Sequence, residues 1–230
     1  MCGRLNVIDD PGVIELCEGL QIELFSSPLI VSRFIRATQA VSLVRQVNGI
    51  RCMDSATWWL LLEASTEGFK PSKYTSFNTR YDKLNTKGSA GYLPYRHSRC
   101  VIPVKGFGET EYAGGKALHY HDLVAKQGGL LLGGLYREWI NRHTGESVLS
   151  CSIITLAPHP KLVAIHSKAM PLILPQDRNL INAWLDKQNS NTAMFTDLLK
   201  PHLPQSLIAQ QIDKPSRYQP VAAVFEIEQD

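Results

Sequence analysis

The sequence opens Met1-Cys2-Gly3-Arg4, and here residue types and order most plainly carry chemistry. Removal of Met1, which is favoured when the next side chain is small, makes Cys2 the N-terminal residue, with an amine and a thiol on adjacent carbons. The amine titrates near ~8 and the thiol near ~8.5, so a fraction of each is reactive at neutral pH. A 1,2-aminothiol reacts with aldehydes. The amine condenses to a Schiff base, and the sulfur closes onto the same carbon as a five-membered thiazolidine. Internal cysteines lack the neighbouring amine. Gly3 gives the backbone freedom beside the reacting atoms, and Arg4 adds a permanent guanidinium suited to a phosphate-bearing substrate. The competing reading is an ordinary cysteine on a frayed terminus, and the tetrapeptide alone supports both equally.

Three later segments offer polar groups that could serve such a nucleophile. Gly106-Phe107-Gly108-Glu109 places a carboxylate just after an apolar run, in what reads as a glycine-rich turn. An acid close to a core can have its pKa raised toward neutrality and act as general acid or base; a solvated loop glutamate is the commoner outcome. Ile165-His166-Ser167-Lys168 sets a histidine and a cation between apolar runs. His166 could shuttle protons, or be a satisfied half-buried histidine. Asn78 and Arg80 offer an amide to hold an amine and a guanidinium for a phosphate, or turn chemistry and a surface charge. His119 and His121 alternate along one stretch, but no third ligand stands near in sequence, so no metal site is expected. Trp58 and Trp59 could stack on bases, although paired tryptophans beside leucines are more often core. Gly133-Gly134 lacks a phosphate-binding pattern and reads as strand packing.

These residues need a scaffold, and the sequence predicts one. Asp10-Pro11 reads as a cap followed by a proline at the first helical position, with a short helix ending near Gly19. Val41 to Val47 and Ile50 to Met53 flank Asn48-Gly49, a hairpin signal. Trp58 to Leu62 is an apolar run that fits a buried strand or the base of a loop. A polar loop is expected from Glu63 to Ser76. Strands are expected at Cys100 to Val104, Ala117 to Val124, Gly129 to Tyr136, Val148 to Thr155 and Ser206 to Ile212. Asp177 to Asp186 reads as an amphipathic helix, and Asn191 to Leu199 as a second. The expected fold is α+β, one domain over residues 1–230, mostly antiparallel sheet or open barrel with peripheral helices.

Composition sets bounds. The 230 residues, 44% hydrophobic and 20% charged, suffice for a sizeable core. No apolar run reaches the ~18 residues of a membrane span, and the polar start is not a secretory signal. The five cysteines are odd in number and show no CxxC spacing, which fits a reducing cytoplasm better than a disulfide framework. A net charge of +3 permits a nucleic-acid partner without requiring one. A cytoplasmic monomer without metal or cofactor is expected.

Taken in order, these segments resemble the SRAP family, the SOS response-associated peptidases or abasic-site processing proteins. Met1-Cys2-Gly3-Arg4 is similar to the family's opening, and Phe77-Asn78-Thr79-Arg80 to its asparagine-x-arginine segment. Arg99-Cys100-Val101-Ile102-Pro103 running into Gly106-Phe107-Gly108-Glu109, Gly134 to Trp139, and Ser152 to Thr155 followed by His166 and Met170-Pro171 complete the match. The resemblance implies action on abasic sites in single-stranded DNA, where the ring-opened sugar exposes an aldehyde that Cys2 traps as a thiazolidine. It further implies that Asn78 positions the amine, Glu109 assists sugar opening and His166 transfers protons. Arg4, Arg80 and Lys168 would meet phosphates, and Trp58 would support or stack on the bent strand. The same amine could support β-elimination or release of residues ahead of Cys2; only Met1 precedes it here. This sequence departs from the pattern in Trp58-Trp59-Leu60-Leu61, in the small residues Gly108 and Thr110 beside Glu109, and in Ser167-Lys168-Ala169 ahead of Met170.

Two other classes compete. A class II glutamine amidotransferase also begins methionine-cysteine-glycine and uses the amine as base for its thiol, but the glutamine-binding segments expected near its start are missing. A non-catalytic single-strand binder would use Arg4, Arg80, Lys105 and the tryptophans for salt-sensitive contact.

Overall fold

The apolar runs of the middle of the chain pair with one another and close on themselves. In the computed structural model, which describes residues 3–66, 68–142 and 144–230, the strands Ser147–Leu156, Leu130–Ile140, Arg99–Val104, Ala40–Val47 and Ile50–Thr57 lie side by side in that order. Ser147–Leu156 then pairs in parallel with Ile50–Thr57, at Leu149 opposite Ala56 and Ser150 opposite Thr57, so the five strands form a barrel. Every residue of Arg99–Val104 is buried, as a strand covered on both faces requires. The Asn48-Gly49 turn that begins this architecture has φ of 52° and 85°. Both central residues are left-handed, the condition for a two-residue hairpin that follows the strand twist.

A second sheet of six strands runs in the order Phe225–Ile227, Leu207–Ile212, Lys116–Ala125, Gly106–Ala113, Arg4–Val7 and Ser32–Arg36. Between Arg99–Val104 and Gly106–Ala113 the chain passes from barrel to sheet through a single residue, Lys105. That corner is fastened: Lys105 N–H donates to Asn6 O at 2.8 Å, and its Nζ donates to Gly128 O at 2.8 Å and Asp10 Oδ1 at 3.2 Å. Gly106 is required there, because a Cβ would stand 2.0 Å from the Leu123 carbonyl oxygen.

Helices cover the flanks. Asp10 caps Pro11–Gly19 by accepting from Gly12 N–H, and Asp177 caps Arg178–Leu185 by accepting from Leu180 N–H at 2.7 Å. The latter helix buries Ile181, Trp184 and Leu185, and Trp184 Nε1 donates to Cys100 O at 2.9 Å. Beneath it the Arg99 guanidinium is buried, donating to the backbone oxygens of Trp184, Tyr95, Arg96, Asp186 and Asn189. A buried cation surrounded by carbonyl dipoles avoids the cost of an unpaired charge. Among the described residues, no helix is long and apolar enough to cross a membrane, and Cys17, Cys52, Cys100 and Cys151 carry free thiols.

The α+β architecture, the two capped helices and the five expected strands are present; several local expectations are corrected. The polar stretch after Leu61 is not all loop, since Leu62–Ser65 and Gly68–Pro71 pair as a small hairpin. Of the two readings of the Trp58 to Leu62 run, the base of a loop holds as far as Leu61. The second helix near the C-terminal end is two 3-10 turns, Thr192–Phe195 and Asp197–Leu199. The glycine-rich stretch before Glu109 is strand, not turn. The helix Tyr92–His97 and the edge strands Ser32–Arg36 and Phe225–Ile227 had no predicted counterpart.

Because the Gly106 contact is with backbone, a methyl group there has nowhere to go. Gly106→Ala should cost about 2 kcal/mol and lower the melting temperature by roughly 4–8 °C, readable by thermal denaturation. Gly19→Ala, in open space at the helix end, is the matched control and should leave melting within a degree or so.

Candidate active site

The strand Gly106–Ala113 enters the core at Phe107 and leaves it at its far end, and side chains along it alternate between faces. Phe107 is fully buried. Two residues on, Glu109 shares its inward face and is only 3% exposed. Around it stand Leu123, Leu162, Ile165, Ala169 and Met170. Burial in this apolar setting pushes the Glu109 carboxyl up to about 7, with the Arg4 charge holding it down and Glu111 raising it further. A carboxyl poised near neutrality can both give and take a proton at physiological pH. The reading of Glu109 as a solvated loop acid is therefore overturned, since the strand period, not the glycine content, decides where it points.

His166 meets Glu109 from a different part of the chain. The turn Pro160–Leu162 delivers it, with His166 N–H donating to Leu162 O at 2.8 Å. The residue is 3% exposed. Its Nε2 lies 3.9 Å from Glu109 Oε2, while Nδ1 lies 3.1 Å from both Thr110 O and Glu111 Oε2. Burial lowers the His166 pKa, opposed by Glu111 and by the Thr110 carbonyl. The same burial that favours the neutral ring of His166 favours the protonated form of Glu109 beside it.

Arg4 reaches the same place from the strand Arg4–Val7 of the six-stranded sheet. It is paired opposite Gly108, one residue from Glu109, and its guanidinium donates to Thr110 Oγ1 at 2.8 Å and Glu109 O at 2.9 Å. A Cβ on Gly108 would stand 2.6 Å from Arg4 Nε. The small residue beside Glu109 therefore makes room for the arginine. Cys2 lies outside the described residues. The first described residue, Gly3, directly precedes Arg4 and so adjoins the strand that carries Glu109.

Comparison with known proteins fits this architecture. The profile of the family described as SOS response associated peptidase (SRAP) matches residues 1–215. The chain belongs to the SRAP family. Among curated proteins it is 29% identical over 140 residues to the abasic site processing protein YoaM of Bacillus subtilis (strain 168), a match covering 60% of each chain. YoqW of Bacillus phage SPbeta, also named an abasic site processing protein, matches at 29% over 140 residues with the same coverage. The chain thus spans about 60% of the length of these relatives. Among solved structures, a protein from Bacteroides thetaiotaomicron superposes with a TM-score of 0.72 at 20% identity, covering 96% of this chain and 100% of that one. A phage-related protein from Bordetella bronchiseptica gives 0.63 at 17%, covering 99% and 93%. These structures share the fold.

Other residues that the SRAP resemblance singled out are placed unevenly. Asn78 opens the strand Asn78–Arg80, half-buried, in parallel register opposite Ile153. The strand it joins also pairs with Met170–Pro171, at the end of the segment that carries His166. Arg80 points to solvent and is held by Asp82, with Nε to Oδ1 at 3.0 Å. Lys168 is exposed, two residues beyond His166. Trp58 is corrected. It is 0% exposed, its Nε1 donates to Phe77 O at 2.8 Å, and its ring meets Phe77 edge-on at 5.8 Å. It supports the segment leading into Asn78 and presents no face for a base to stack on. Trp59 is half-buried and stacks on Phe77.

The residue reading of the sequence passed over Glu111 and gave Thr110 no role. Glu111 repeats the face of Glu109, a relation that shows once the stretch is taken as strand rather than turn. His119 and His121 pair with Glu111 and Glu109 in the neighbouring strand. Among the described residues, no three metal-ligating side chains come together. Burial and the neighbouring His119 bring His121 down to about 4.

The raised Glu109 pKa has a linked stability effect. A carboxyl whose folded pKa lies above its unfolded value stabilises the fold below about pH 4.5, and that contribution is lost as pH rises through about 7. Glu109→Gln should abolish this loss. Urea unfolding across pH 4.5 to 8 should therefore show the variant gaining on the wild type by on the order of 3 kcal/mol with rising pH. A constant difference over that range would contradict the burial of an ionisable Glu109.

Proposed function

We propose that the protein captures abasic sites in single-stranded DNA covalently, through the amine and thiol of Cys2 once Met1 is removed. The observation that carries the reading is the buried Glu109 and His166 pair, an acid near neutrality and a neutral base, beside the start of the strand Arg4–Val7. Two relatives named abasic site processing proteins support the substrate class.

An abasic sugar is a cyclic hemiacetal; Glu109 donates a proton to the ring oxygen and the anomeric hydroxyl loses one, opening the ring to an aldehyde. The Cys2 amine adds to the aldehyde carbon, and loss of one water leaves a Schiff base. The Cys2 sulfur then adds to that carbon, the thiol proton ends on nitrogen, and a thiazolidine results. Each step moves a proton to or from a reacting atom, which is the work of a general acid and base with pKa values near ambient pH. Asn78 holds the Cys2 amine in this scheme. Arg80 and Lys168 supply exposed cations for flanking phosphates. Arg4, already committed to Thr110 and the Glu109 backbone, anchors the strand and adds positive potential. The protein works as a cytoplasmic monomer on DNA; lyase activity follows from the same Schiff base, whereas release of residues ahead of Cys2 is a separate amide cleavage that frees the amine first.

The test is incubation with a single-stranded oligonucleotide carrying one abasic site, followed by boiling in detergent and electrophoresis. A band shifted by the mass of the oligonucleotide is expected with the abasic strand and not with the intact strand. Cys2→Ala should abolish the stable adduct. Cys2→Ser should fail to give a thiazolidine. A persistent adduct in Cys2→Ala, or glutamine hydrolysis without any DNA reactivity, would overturn the proposal.

A further inference from the structure

We propose that Glu111 is a positioning residue for this chemistry: its carboxylate orients His166 and offsets the positive charge that the ring acquires on taking a proton at Nε2. Glu109 and His166 then move the protons, and Glu111 holds the ring and its charge without taking one. The inference rests on the function proposed above for the same site.

The geometry runs outward from the core. Thr110 O is a carbonyl and can only accept, so Nδ1, 3.1 Å away, carries the ring hydrogen. Glu111 Oε2 lies at the same distance from Nδ1 and shares that hydrogen. Nε2 is therefore the basic nitrogen, and it faces Glu109 Oε2 at 3.9 Å. Glu111 is itself clamped. Ser167 N–H donates to Oε2 at 3.0 Å and Ser167 Oγ to Oε1 at 2.5 Å. These bonds, Ser167 Oγ first, hold the Glu111 carboxyl below the usual range, so it stays ionised while the two buried groups exchange protons.

A charged imidazole buried as deeply as His166 is costly unless an opposite charge stands beside it. Glu111 supplies that charge in a fixed place, so no reorganisation is needed when the proton arrives. In the relay, Nε2 takes the proton released by the reacting group, the Nδ1 hydrogen remains between Thr110 O and Glu111, and the proton returns when the thiazolidine closes. No proton is gained or lost overall. The charged and titratable groups around His166 among the described residues are Glu109 and Glu111 on the facing strand, His119 and His121 opposite them, Arg4 on the N-terminal strand and exposed Lys168 on its own segment. Of these, it is Glu111 that meets Nδ1 with a charge.

Glu111→Gln keeps an oxygen acceptor for Nδ1 and for Ser167 while removing the charge. Two quantities are measured on the full chain: the titration of His166 by NMR of its ring carbon-bound proton, and the pH profile of adduct formation with the abasic oligonucleotide. The His166 titration should move to lower pH in the variant. Adduct formation at pH 7 should slow about tenfold, a part of the 10²–10⁴ that a positioned acid–base group supplies, with the limb of the rate profile moving alongside His166. Ser167→Ala, which loosens the clamp, should shift both in the same direction by less. His166 titration and rate within about twofold of wild type in Glu111→Gln would overturn the proposal. So would a slower rate with His166 unmoved, which would give Glu111 a merely structural place. Should the wild type form no adduct, the abasic-site reading fails, and the His166 titration still decides for or against the role of Glu111.

Discussion

Burial of one carboxyl group sets the terms for the rest of this structure. Glu109 lies in an apolar setting two residues from Phe107, where its ionised form is disfavoured and its protonated form is tolerated. A fold does not keep such a group for stability, since an apolar side chain of similar volume would pack there without titrating. What burial gives is a proton held near pH 7, next to a histidine kept neutral by the same exclusion of water. Two titratable groups that burial shifts, brought within 3.9 Å of each other, mark a candidate functional site.

The surrounding architecture maintains that arrangement by tying the strand of Glu109 on both sides. On one side the strand Arg4–Val7 runs antiparallel to it, and Arg4 donates to Thr110 Oγ1 and Glu109 O; on the other, Lys116–Ala125 runs the length of it. The barrel anchors its start through Lys105, and the Pro160–Leu162 turn delivers His166 against its exit. Strands fixed by ladders on both edges hold side chains more exactly than a loop could, and general acid–base catalysis depends on such placement.

Much of the scaffold was legible in the sequence because its signals are local. Asn48-Gly49 between apolar runs, Asp10 before Pro11 and Asp177 before an amphipathic stretch each specify backbone geometry within a few residues, and each appears as expected. Barrel closure was not legible, because the parallel pairing of Ser147–Leu156 with Ile50–Thr57 joins segments about ninety residues apart. Glu109 reads as a turn residue because glycine is dense around it. Gly106 and Gly108 are there for close approach, the first to the Leu123 backbone and the second to the Arg4 guanidinium. For Trp58 the sequence leaves stacking on a base and packing in the core both open, because an aromatic pair has the same composition whether buried or exposed. Only the Phe77 contacts, set by tertiary packing, decide between those outcomes.

Everything proposed for the site depends on Glu109 carrying a proton at a pH where ordinary glutamates have lost theirs. Its side-chain carboxyl carbon can be followed directly by NMR with carbon-13 labelled glutamate, with the signal assigned by its disappearance in Glu109→Gln. The structure requires a resonance that titrates near about 7. Titration in the ordinary glutamate range near 4.5 would mean that water reaches the group, and the chemistry assigned to the pair would have no basis.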